Sequence, residues 1–127
     1  MTLKINFIYK EIKISPEINK TEFNKKVRTV IKNIAKEENR NFSFVNIVFC
    51  NDKIIKEYNN EFLKHDYETD IITFHDIDEE NNIEGELLIS LDTVDSNSIR
   101  YKTDFEQELK RVIIHGVLHL CGYRDKS

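Results

Sequence analysis

The chain holds 127 residues, 39% hydrophobic and 33% charged, enough for a single domain with one modest core. No apolar run approaches the ~20 residues of a membrane span, the N-terminus has no signal-peptide core, and two cysteines outside any CxxC pair fit a reduced, cytoplasmic protein. The net charge of −4 divides into +5 over residues 1–64 and −9 over residues 65–127, which suits either an ordinary solvated surface or a basic half facing a polyanion and an acidic half holding a cation.

Leu3, Ile5, Phe7 and Tyr9 alternate with polar residues and predict a first strand. From Thr21 to about Glu38, Phe23, Val27, Val30, Ile31, Ile34 and Ala35 recur at helical spacing. Phe42–Cys50 is rich in Phe and Val and predicts a second strand. Asp52 is placed to cap a short helix carrying Ile54, Ile55, Tyr58 and Phe62. Residues 64–68 are polar and loop-like. Thr69–Phe74 predicts a third strand, the acidic stretch Asp76–Asn82 a solvent-facing turn, and Ile83–Leu91 a fourth strand paired antiparallel with the third. A short helix follows from Asp92, itself a candidate cap, to Tyr101. The order β-α-β-α-β-β-α-α predicts an α/β (α+β) fold: one domain, residues 1–127, with a small mixed sheet of about four strands and helices packed on it.

The last helix carries the chemistry. Thr103-Asp104-Phe105-Glu106 reads as a capping box opening at Thr103, and Gly122 is placed as a left-handed cap. Between Val112 and Cys121 only Gly116, His115 and His119 interrupt an apolar run, which predicts burial on all sides. His115 and His119, four apart, project from one face. A lone buried histidine is usually a satisfied core residue; two on one face can share one metal ion. Gly122 then turns the chain, and Asp125 falls six residues after His119. This is the ligand spacing of the metzincin zinc site, H-E-x-x-H-x-x-G-x-x-H. Three protein ligands leave a fourth position for water. Cys121 lies about 200° around the helix from His119 and reads as a small buried hydrophobe. Gly116 occupies the position where metalloproteases carry a glutamate base, which argues against peptide hydrolysis.

These residues resemble the YbeY family of bacterial rRNA maturation factors. The family signature H-G-x-L-H-L-x-G-Y-D-H is met by His115, Gly116, Leu118, His119, Leu120, Gly122 and Tyr123. A second family stretch, L-N-x-x-F-R-x-x-D-x-x-T-D-V-L-S-F, reads here as Tyr58, Asn59, Phe62, Leu63, Asp66, Thr69, Asp70, Ile71, Ile72, Thr73 and Phe74. Gly85-Glu86 followed by Leu87–Ser90 is similar to a third, G-D-I-x-I-S. The resemblance covers positions 58 to 125; residues 1–57 match only in element order.

The resemblance implies a metal-dependent endoribonuclease cutting single-stranded RNA in 16S rRNA 3′-end maturation and ribosome quality control, with a water on the ion attacking the phosphodiester. It implies one zinc ion or similar divalent transition metal on the last long helix. Expected partners are rRNA, the small ribosomal subunit and ribosome-associated proteins, not DNA or a membrane. Two departures stand out. The family's third histidine is Asp125 here, still an acceptable zinc ligand. The family's arginine is Leu63, so Lys64 and His65 are the candidates for phosphate contact. The metal ligands expected are His115, His119 and Asp125. Asp70 reads as a cap at the start of a strand or as a support for a histidine from behind; Tyr123 is expected to pack across the turn. A non-catalytic assembly factor with a structural metal is the competing reading.

Overall fold

A computed structural model describes residues 3–14, 18–63 and 69–123. The elements in order are β1 (Lys4–Tyr9), α1 (Lys20–Glu37), β2 (Phe42–Cys50), α2 (Asp52–Leu63), β3 (Ile71–Ile77), β4 (Ile83–Ser90), α3 (Leu91–Arg100) and α4 (Phe105–Leu120). This is the order the sequence predicts. The strands form one sheet, β1-β2-β4-β3. β1 runs parallel to β2 and β2 parallel to β4, while β3 returns antiparallel along β4 as a hairpin.

The period of two along each strand divides the core into two clusters, one on each side of the sheet. One side carries Val45, Ile47 and Phe49 of β2 and Ile83, Leu87 and Ile89 of β4. Phe23, Val27 and Ile31 of α1 and Leu109, Val112, Ile113, Val117 and Leu120 of α4 close over them. The other side holds Val48, Cys50, Ile72 and Leu88 beneath Ile54 and Ile55 of α2. α4 packs on β3, β4, α1 and α3.

Two expected helix caps shift by one residue. Asn51, not Asp52, accepts from an amide of α2, that of Ile54 at 2.9 Å. Asp52 is the first helical residue. Its carboxylate accepts the hydroxyls of Ser90 at 2.6 Å and Thr93 at 2.5 Å, tying the ends of β2 and β4 together. Asp92 does not cap the helix it was expected to open: Ser90 is the N-cap of α3, and the Asp92 carboxylate instead accepts from the Asp52 amide of α2 at 3.0 Å. The second shift is at α4. Asp104 is its N-cap, accepting from the Gln107 amide at 2.7 Å. Thr103 is taken by the preceding helix, whose last turn closes with Thr103 N–H on the Ser98 carbonyl at 3.0 Å behind a left-handed Lys102.

β3 runs three residues further than Phe74, because its pairing with β4 continues to Ile77–Ile83. The acidic turn that follows is exposed at Glu79, Glu80 and Asn81. Asp78 organises it by accepting from the amides of Glu80 and Asn82.

Candidate metal centre

α4 is seated unusually close to the sheet. A Cβ on Gly116 would come within 2.6 Å of Ile71 Cδ1 and 2.9 Å of Leu87 Cδ2. Leu120 in turn lies over Gly85, where a Cβ would meet its Cδ1 at 2.6 Å. The two glycines let helix and sheet approach. Position 116 therefore faces the sheet, so a glutamate there would bury its carboxylate in the core.

The histidines flank this sheet-facing line, His119 about 60° and His115 about 100° around the helix from Gly116, with Leu118 about 160° away. His115, Leu118 and His119 are half-buried, so the segment is not enclosed on all sides as its composition suggests. His115 Nε2 and His119 Nε2 converge to 3.0 Å, with ring centroids 4.6 Å apart. That separation is less than twice a zinc–nitrogen bond of ~2.0–2.1 Å. Both lone pairs can thus reach one ion from the same side, and the pair fits the metal the motif implies.

The turn after His119 forms as the sequence predicts. Gly122 has φ +109°. Its N–H donates to the His119 carbonyl at 3.0 Å, and Tyr123 N–H donates to the Leu118 carbonyl at 3.1 Å. This is a complete Schellman cap. Cys121 packs into the core beside α4, and burial pushes its thiol up. It is half-buried and packs as a small hydrophobe. Tyr123 is exposed and bonds to Glu38, which pushes its phenol up.

Asp125, Lys64 and His65 lie outside the described residues, as do the side chains of Phe62 and Leu63. Among the described residues no group of three His, Cys, Asp or Glu side chains is placed to hold an ion. The structure therefore brings together His115 and His119 of the three expected ligands. Asp70 joins the sheet through its carbonyl, which accepts from Ser90 N–H at 2.9 Å. Its charge acts on Arg111, one turn before His115.

Two features escaped the sequence reading. Glu108, 2% exposed, is held by a two-pronged bond from Arg111 at 2.7 and 3.0 Å, which pushes the Arg111 guanidinium up. The i,i+3 spacing was the available signal. Arg40 Nη1 donates to the Cys121 carbonyl at 2.8 Å, fastening the end of α4 to the turn after α1. No local pattern announces a contact across 81 positions.

The sequence matches the family profile described as Endoribonuclease YbeY over residues 8–127. A curated relative of that name from Parabacteroides distasonis is 50% identical over 97 residues, covering 76% of this chain and 68% of its own. One from Porphyromonas gingivalis is 45% identical over 124 residues, covering 98% of this chain and 78% of its own. The solution structure of TM1509 from Thermotoga maritima is similar with a TM-score of 0.62 and 28% identity, over 96% of this chain and 75% of that one.

Proposed function

The chain belongs to the YbeY endoribonuclease family, and from that premise we propose that it cuts single-stranded ribosomal RNA of the small subunit in the cytoplasm, using one divalent ion held on α4. It is a hydrolytic nuclease with an RNA substrate. The observation that carries the metal-dependent reading is the convergence of His115 Nε2 and His119 Nε2 to 3.0 Å on a half-buried helix face.

A divalent ion there supplies Lewis-acid chemistry and neutralises developing charge on the phosphoryl group. The chain's own residues define the rest. Each imidazole turns Nε2 inward, so the neutral tautomer that binds carries its proton on Nδ1. The Schellman turn at Gly122 ends α4 just after His119, and Asp125 is the third ligand by spacing and by family register. Gly116 offers no carboxylate, so proton transfer falls to water or to a group elsewhere. Lys64 and His65, beside Leu63 where the family has an arginine, stand as the phosphate contacts. Lysine there gives a point charge without arginine's fork.

The test pairs two readouts on wild type, His119→Ala and Asp125→Ala: metal content by elemental mass spectrometry, and cleavage of a labelled single-stranded RNA. Wild type is expected to hold about one equivalent of a divalent ion. Both variants are expected to lose it, with cleavage falling at least ~100-fold. Undiminished cleavage by metal-free His119→Ala protein would falsify the reading.

A further inference from the structure

Between Lys25 and Lys36, α1 carries five basic residues and no acid; its two acids, Glu22 and Glu37, stand near its ends. The helix bears a net +4 in a chain of −4, so everything outside it sums to −8. At 100° per residue, Lys25, Thr29, Lys32 and Lys36 fall within a strip ~60° wide. That strip lies opposite Phe23, Val27 and Ile31, which bury the other side. All four are exposed. The strip runs along about 16 Å of helix axis. Lys26 and Arg28, also exposed, widen it on either side.

Its direction matters as much as its charge. α1 ends in a Schellman turn, with Asn39 left-handed at φ 53° and Arg40 N–H on the Ala35 carbonyl at 2.9 Å. Arg40 then reaches the Cys121 carbonyl, two residues past His119. Lys32 and Lys36 line a groove of about 350 Å³ that continues to Asn39, Arg40 and Asn41. The basic strip thus leads along one helix to the end of the helix that carries the histidines.

We propose that the exposed face of α1, from Lys25 through Lys32 and Lys36 to Arg40, is the docking surface for the RNA backbone, holding single-stranded RNA by its phosphates and delivering it to the end of α4. This deepens the nuclease reading. An acidic protein that acts on a polyanion gains affinity only where its own field is positive. The contacts are to phosphates, so the surface is indifferent to sequence and leaves the choice of bond to the histidine site.

The test measures binding by fluorescence anisotropy of a labelled single-stranded RNA across a salt series, with strand integrity checked on a gel. Lys25→Glu/Lys32→Glu is compared with Lys53→Glu/Arg100→Glu, which makes the same charge change at exposed sites on α2 and α3. Each lost phosphate contact lowers the salt slope by ~0.7 on a single strand. The α1 pair is expected to lower it by about 1.4 and to weaken binding roughly 25-fold at 0.1 M salt, the loss expected when both contacts go. The control pair is expected to leave the slope unchanged, because screening limits its reach to about 10 Å. Equal loss in both pairs, or no loss in either, overturns the proposal. Thermal midpoints of both pairs guard against misfolding, and Lys25→Gln/Lys32→Gln, which removes charge without adding acid, must lower the slope in the same direction. The readout is binding, so an uncut strand counts against the nuclease reading alone.

Discussion

Cys50 closes β2 with no exposed surface, and burial pushes its thiol up to about 12. The folded protein therefore holds the proton more tightly than the unfolded chain, whose ordinary value is 9.0. The stability this contributes is intact below pH 9 and is lost as pH rises from 9 toward 12. The thermal midpoint is expected to fall across that window, and Cys50→Ala is expected to flatten the fall. A curve of the same steepness in the variant removes Cys50 as the cause. At this scale the sequence was legible where a residue's job is local. His115, His119 and Gly122 announce themselves by spacing. Asp52 and Thr103 did not, because each was read by the turn it opens. Asp52 instead binds hydroxyls from β4 and α3, and Thr103 closes the helix before it.

Among the elements, α4 shows how a stretch rich in apolar residues can still present a working face. Gly116 and Gly85 bring it down on the sheet, and that approach leaves the histidines half in solvent. Composition alone gave enclosure on all sides, since hydropathy counts residues without knowing which side the sheet occupies. The end of α4 rests on Gly122 at φ +109°, with open space where a Cβ would stand. Gly122→Ala therefore meets backbone strain without a clash. It is expected to cost about 1 kcal/mol and to lower the thermal midpoint by roughly 3–5 °C. It is also expected to weaken metal binding, since Gly122 lies between His119 and Asp125, the proposed third ligand. Calorimetry and a zinc titration read the two effects; an unchanged midpoint refutes the strain argument. The boundaries of α1, β2 and β4 were readable within a residue or so, because their apolar periods are long and clean.

In the whole molecule, the uneven charge of the two halves resolves onto particular elements. The basic half concentrates on α1, and some of the acidic half lies in the exposed turn between β3 and β4, at the far end of the hairpin from Ile71. The sequence showed the polarity but not its geometry, because a halving of the chain is blind to which helix lies beside which. The mixed sheet was legible from element order, and the hairpin from the turn residues. The neighbour of β2 was not: that strand could have paired with β3, and only the buried face of β4, with Ile83, Leu87 and Ile89 all fully enclosed, places β4 in the middle.

That placement sets an order of events during folding. β3 and β4 meet through a five-residue connection, whereas the β2–β4 pairing bridges Cys50 with Ser90 across forty positions. Closing the short loop costs less chain entropy than closing the long one. The hairpin is thus expected to form early and to dock on β2 as a unit, with α4 settling afterwards over the finished surface. In refolding kinetics, Ile72→Val in the hairpin should slow folding, and Val117→Ala in α4 should act mainly by speeding unfolding. The reverse partition would mean that the histidine helix organises the sheet and not the sheet the helix.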